Sequence, residues 1–294
     1  MTRRELARGL AGAGAALQAA CSPLTAFNAL APRDPAVRVA RGAHYGPSPR
    51  QRLDGYAPIA RSAAAPAPVL VFFYGGSWNS GRRQDYAFVG RALAACGFLT
   101  LVPDYRLYPE VRYPAFLQDG AAAVRWARDH AAGLGGDPDR MALVGHSAGA
   151  YNAVMLGLDP QFLRDAGAPP QAIRALAGIS GPYDFLPLKS RITRETFGEA
   201  PDLAATQPIN HVAARSPPTF LAHGLNDTLV YPRNATALSE ALTRVGVTVK
   251  LELYPGLGHA DTVLALSRPF RRKAPELRDM AAFLHAHLAE PFRG

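Results

Sequence analysis

The sequence predicts an α/β protein with a mostly parallel, eight-stranded sheet covered by helices on both faces. Three observations carry that expectation. Short apolar runs recur along the chain, helical segments alternate with them, and one glycine-flanked serine stands between a strand-like run and a helix-like run. At 294 residues and 48% hydrophobic, the chain can bury a sizeable core, and α/β chains of this length often form one domain.

The pattern from Val37 onward is strands first, then alternation. Strands are expected near 37–45, 51–57, 68–74, 97–102, 140–145, 174–180, 218–223 and 247–254. Val69-Leu70-Val71-Phe72-Phe73 and Met141-Ala142-Leu143-Val144 are continuous apolar runs, as strands buried on both faces require. Helices are expected near 84–95, 115–132, 148–158, 234–245 and 275–289. Residues 181–217, rich in proline and charge and poor in strand pattern, read as a short cap insertion that could roof a pocket. No internal repeat is apparent.

The serine lies in Gly145-His146-Ser147-Ala148-Gly149, a G-x-S-x-G pentapeptide set at a strand-to-helix turn. A hydroxyl is a poor nucleophile at neutral pH, so it needs an imidazole to take its proton and a carboxylate to orient that imidazole. In this arrangement the chain order is serine, acid, histidine. Asp227 follows the strand-like run ending at Gly224, and His259 lies on a glycine-bearing loop, Gly256-Leu257-Gly258, past the last strand. Asp184 and Asp261 are rival acids; Asp227 fits both the chain order and the strand-end position. His223 reads as a packed residue orienting the Asp227 turn, and His211 as structural or at a pocket rim.

Attack on a carbonyl leaves an oxyanion that fixed donors must meet. The Ala148 amide is one candidate. Others are Gly75 and Gly76, with Ser77 next in line, in Tyr74-Gly75-Gly76-Ser77-Trp78 after the strand at 68–74. Neither G-x-G-x-x-G nor the P-loop pattern occurs there, which argues against a phosphate cradle and a nucleotide cofactor. No histidine, cysteine and carboxylate grouping has metal-ligand spacing, so no metal is expected.

Together, Tyr74-Gly75-Gly76-Ser77-Trp78, Asp104-Tyr105-Arg106, the serine pentapeptide, the Asp227 turn and Gly258-His259 resemble the α/β-hydrolase superfamily. Within it the chain is similar to small bacterial carboxylesterases related to hormone-sensitive lipase, to acetylxylan and feruloyl esterases, and to kynurenine formamidase. The resemblance covers roughly residues 37 to 290. It implies a serine hydrolase for short to medium acyl esters, with Ser147, Asp227 and His259 as its triad and a small-molecule ester as its partner. An amide-cleaving formamidase and a non-catalytic binding module are the alternatives. Such relatives often carry His-Gly-Gly where this chain has Tyr74-Gly75-Gly76, which leaves the contact made by residue 74 open. The Asp104-Tyr105-Arg106 segment is similar to one that braces the active-site floor. Trp78, Tyr151 and Tyr183 are the candidate substrate contacts.

The first twenty-one residues differ in kind. Arg3-Arg4 and Arg8 precede an alanine-rich apolar stretch from Leu10 to Ala20, and Cys21 follows Ala19-Ala20. The pattern resembles a lipoprotein export signal with Cys21 as a lipid anchor, against a cytoplasmic alternative in which the segment is an amphipathic helix. Residues 22–36 are then a linker. The net charge of +9 comes from 32 basic and 23 acidic residues that are mostly scattered. The basic run at 268–273 reads as solvated surface, and no nucleic-acid recognition motif accompanies it.

Overall fold

The computed structural model describes residues 23–60 and 65–289. Eight strands form one sheet: β1 (Val37–His44), β2 (Arg52–Ala57), β3 (Ala67–Phe73), β4 (Leu99–Pro103), β5 (Gly136–His146), β6 (Ile173–Ile179), β7 (Thr219–Gly224) and β8 (Val249–Tyr254). Their spatial order is β1-β2-β4-β3-β5-β6-β7-β8. The β1/β2 and β2/β4 pairs are antiparallel, and every other pair is parallel. The parallel strands β3, β4, β6 and β7 are almost wholly buried, as their unbroken apolar runs require once helices cover both faces.

Nine helices accompany the sheet among the described residues: α1 (Pro23–Leu30), α2 (Ala87–Ala95), α3 (Ala115–His130), α4 (Ala148–Leu158), α5 (Pro160–Asp165), α6 (Arg191–Phe197), α7 (Arg233–Arg244), α8 (His259–Ala265) and α9 (Glu276–Leu288). Five match expected helices; α1, α5, α6 and α8 do not. Local caps explain two of the additions. The Asp159 side chain accepts the Gln161 N–H at 3.0 Å ahead of Pro160, and Ser190 Oγ accepts the Thr193 N–H at 3.1 Å.

The stretch expected as a linker carries α1, which is fastened to the body of the α/β domain. The Phe27 ring meets Phe88 edge-on at 5.3 Å and stacks on Phe270 at 5.8 Å. Asn28 Oδ1 accepts the Phe88 N–H at 3.1 Å, and Asp34 pairs with Arg271 at 2.8 Å. Part of the 268–273 basic run is therefore tied down, since Lys273 also pairs with Asp261 at 2.6 Å. The expected export segment and Cys21 lie outside the described residues. Cys96 is a free, half-buried thiol.

One core group stands apart. Glu276 opens α9 fully buried, and neither carboxyl oxygen has a hydrogen-bond partner among the described residues. Burial, and then the nearby Asp279, hold its pKa well above the usual carboxylate value. The folded chain thus keeps a proton that the unfolded chain releases above about pH 4.3. Stability therefore declines as pH rises from there through the raised value. Glu276→Gln, uncharged at every pH, is expected to raise Tm by roughly 2–8 °C near pH 8 and by little near pH 4. Differential scanning fluorimetry across that range checks it, and an equal shift at both ends would contradict it.

Candidate active site

Ser147 sits between β5 and α4 in a backbone conformation that only a tight turn imposes, with φ 56° and ψ −124°. A non-glycine residue held there costs about 1–3 kcal/mol, which the surroundings must offset. Its N–H donates to Ile179 O of β6 at 2.8 Å, and its carbonyl accepts the Tyr151 N–H at 3.1 Å. The two flanking glycines are dictated by close approach. A Cβ on Gly145 would lie 2.1 Å from Gly149 O, and a Cβ on Gly149 would lie 2.1 Å from Phe73 O. Strand, turn and helix can pass one another here only without side chains.

The geometry brings together the three residues that chain order selects. His259 Nε2 lies 2.8 Å from Ser147 Oγ, and His259 Nδ1 lies 2.7 Å from Asp227 Oδ2. With Asp227 ionised, the network places the imidazole proton on Nδ1 and leaves Nε2 free to accept the serine hydroxyl. Asp227 is 2% exposed. Its Oδ1 accepts the Leu229 and Val230 N–H groups at 3.0 and 2.9 Å, folding residues 227–230 into an Asx turn. Burial by itself would raise its pKa; hydrogen bonds from His223, His259 and the Val230 amide overcome that and hold it far below the ordinary carboxylate range.

His259 is expected on a loop, yet it is the first residue of α8. Asp261 explains the helix start, because its Oδ2 accepts the Gly258 N–H at 3.0 Å from the N3 position. That bond and the Lys273 ion pair occupy Asp261 fully as a helix cap. The other rival acid, Asp184, sits in the turn after β6, where its amide is held by Asn234 Oδ1 at 3.0 Å. His223 is completely buried and donates through Nε2 to Val230 O at 2.7 Å, with Asp227 Oδ2 at 3.2 Å. It bridges the end of β7 to the far side of the acid turn. His211 donates to Ala205 O at 2.7 Å and holds the cap's own turns together.

The sequence reading gave no role to His146, and the structure does. Its Nε2 lies 3.1 Å from the His259 carbonyl oxygen, which can only accept, so Nε2 carries the proton. The two rings lie 5.0 Å apart. Burial first, then the neighbouring His259, push the His146 pKa down to about 3, so it stays neutral across the working range. It braces the backbone of the candidate base from beneath. Histidine at the variable position of the pentapeptide, next to the nucleophile, was the available signal.

The loop after β3 is shaped for donors. Gly76 has φ 130°, and a Cβ there would lie 2.3 Å from Ser80 O; Ser77 and Trp78 follow, also with positive φ. Ser77, Trp78, Ser147 and Ala148 line one cavity. Gly75 needs its missing side chain for another close approach. A Cβ there would lie 2.9 Å from Ser147 Cβ, so its backbone runs directly against the nucleophile, and Gly75, Gly76, Ser77 and Ala148 are the candidate oxyanion donors. The open question about residue 74 is answered by its phenol. Tyr74 Oη donates to Asp104 Oδ1 at 2.9 Å and accepts from Arg50 Nη2 at 2.9 Å, while Tyr105 Oη donates to Tyr74 O at 2.8 Å. Asp104 also pairs with Arg83, and Arg106 with Asp119 at 2.7 Å, so this segment fixes the loop from below.

The cavity in front of Ser147 has a volume of about 270 Å³ and is walled by Trp78, Pro182, Phe185, Leu186, Ile192 and Val230 among others. Residues 181–217 roof it through α6. Phe197 anchors that roof, with Trp78 at 4.8 Å, Phe185 at 5.3 Å and Tyr151 at 5.4 Å. Trp78 lines the cavity as expected, held by its Nε1–H to Asn152 Oδ1 at 3.1 Å. Tyr151 and Tyr183 do not. Both are 0% exposed and stand outside the cavity wall. Tyr151 Oη donates to Thr206 O at 2.7 Å, so it pins the cap instead of meeting a substrate. Phe185 and Ile192 take the places expected of these tyrosines.

A family model described as BD-FAE matches residues 53–242, a span that holds the serine pentapeptide, the loop after β3 and the Asp227 turn. The chain belongs to the BD-FAE family of α/β-hydrolases. This BD-FAE chain is 33% identical, over 74% of its length and 74% of the relative's, to carboxylesterase NlhH of Mycobacterium tuberculosis. It is 31% identical, over 81% of its length, to a probable isoprenylcysteine alpha-carbonyl methylesterase of Arabidopsis thaliana. It spans only 54% of that plant relative. The BD-FAE fold also aligns with an inhibited esterase B from Lactobacillus rhamnosis, with a TM-score of 0.76 and 22% identity, covering 90% of this chain and 91% of that one.

Proposed function

We propose that the chain is a serine carboxylesterase that hydrolyses short to medium acyl esters through an acyl-enzyme. The observation that carries the reading is the unbroken hydrogen-bond line from Asp227 through His259 to Ser147, at 2.7 and 2.8 Å, opening on an apolar cavity. Ser147 Oγ attacks the carbonyl carbon while its proton passes to His259 Nε2, and Asp227 stabilises the imidazolium. The oxyanion is met by the Ala148 amide and the Gly76–Ser77 amides. The intermediate collapses, the alkoxide leaves with the proton from Nε2, and water then repeats the sequence to release the acid. Similarity to proteins named carboxylesterase and methylesterase supports the same reading.

The test is a series of p-nitrophenyl esters of increasing acyl length, with sugar acetates, feruloyl esters and N-formylkynurenine alongside. Turnover is expected to peak among short to medium acyl chains, because about 270 Å³ is small beside most ligand pockets. A chain that cleaves the formamide and none of the esters would replace this reading with the amide hydrolase. For residues 1–21, export with lipidation at Cys21 is our reading of the paired arginines, the apolar stretch and the Ala19-Ala20-Cys21 sequence.

A further inference from the structure

The cavity in front of Ser147 is walled largely by apolar side chains. Lys189, just before α6, and Arg233, at the start of α7, are its only charged lining residues, and no carboxylate lines it. Both are exposed, and neither side chain has an ion-pair or hydrogen-bond partner among the described residues.

Arg233 is also in a place that helix electrostatics disfavours. It is the first residue of a 12-residue helix that has no acidic residue in its first turn and no side-chain cap. The amino end of a helix carries partial positive charge, so an arginine there costs stability, and an acidic residue is the stabilising choice. A local rule broken beside a reacting serine, with no compensating partner, marks a functional site. The positive end of α7, Arg233 and Lys189 all converge on the cavity that Ser147 faces. Leu229 and Tyr231, both exposed, also line it.

Resting on the esterase reading, we infer that the preferred substrate is an ester that carries a carboxylate, separated from the scissile carbonyl by an apolar spacer. The spacer lies against Phe185, Ile192 and Leu229, and the carboxylate is held by Lys189, Arg233 and the start of α7. The two cations act as specificity residues by binding a remote charge, and they move no proton.

Matched ester pairs test this. One pair places the charge on the acyl side, p-nitrophenyl hemiadipate against p-nitrophenyl hexanoate. The other places it on the alcohol side, 4-carboxyphenyl butyrate against phenyl butyrate. Spontaneous hydrolysis is subtracted in each case. In at least one pair the charged ester is expected to have the higher kcat/KM, through a lower KM. In the Lys189→Glu/Arg233→Glu double variant the charged-to-uncharged ratio should fall by roughly 2- to 30-fold, the scale of two solvent-exposed ion pairs. Arg233→Glu suits a helix start, so the double variant should fold, which circular dichroism verifies. Raising salt should erode the wild-type preference in the same direction. Turnover of uncharged esters with no preference in either pair, or a preference that survives charge reversal, overturns this inference and leaves the esterase reading standing. No turnover of any ester in the set overturns the esterase reading itself.

Discussion

Ser147→Ala is expected to lower kcat/KM for any ester by roughly six orders of magnitude while leaving the fold in place. The substitution removes only Oγ. The backbone at residue 147 stays in the same turn, because the turn is imposed by Gly145, Gly149 and the hydrogen bond to Ile179 O, none of which involves the hydroxyl. His259 loses one partner at Nε2 on a site open to the cavity, so the change in stability should be within about 1 kcal/mol. Intact-mass spectrometry after a fluorophosphonate probe gives a second readout. Wild type should gain one adduct and Ser147→Ala none. A variant that still takes up the probe, or that keeps its rate within tenfold, would refute Ser147 as the nucleophile.

Asp227→Asn is expected to reduce kcat by about 10⁴-fold and, unlike the serine variant, to destabilise the protein. Both oxygens of Asp227 accept N–H donors: Leu229 and Val230 on Oδ1, His259 and His223 on Oδ2. An amide has one accepting end. With its NH₂ toward His259 it forces the imidazole into the tautomer that cannot take the serine proton; turned around, it sets NH₂ against two backbone amides. Either arrangement leaves buried donors unsatisfied, at about 1–3 kcal/mol. The pH dependence has a definite sign. Because the folded-state pKa of Asp227 is depressed, its stabilisation is full above the unfolded value of about 3.9 and is lost as pH falls through the folded value. The Tm gap between wild type and Asp227→Asn should therefore narrow in acid. A variant as stable as wild type at neutral pH, or one that retains most of its kcat, would show that Asp227 does not hold the base.

The triad was legible because each member is announced by local pattern. Ser147 stands between an apolar run and a small-residue helix, Asp227 follows a buried strand, and His259 follows the last strand with glycines before it. The inner strands β3, β4, β6 and β7 were legible because runs buried on both sides leave nearly unbroken apolar stretches, whereas the edge strands β1 and β8 are only partly buried and carry charged residues. Misreadings cluster where a side chain's direction matters. Tyr151 lies one helical turn beyond Ser147, and sequence spacing does not reveal that its phenol reaches up to Thr206 in the cap. The short helices α6 and α8 are fixed by Ser190 and Asp261 caps, one side chain each, with too few residues to build a periodic signal.

By itself the sequence determined the strand order of the chemistry: which serine, acid and base exist, and that each falls at the end of a strand or at a turn. Tertiary structure alone decided what surrounds them, namely His146 against the base, His223 behind the acid, and Lys189 and Arg233 in the cavity lining. The physical reason is range. Backbone propensity and hydrophobic period act over a few residues and are written locally, whereas hydrogen-bond direction and charge proximity can join groups as far apart as His146 and His259, 113 positions, and exist only after the sheet has closed around them.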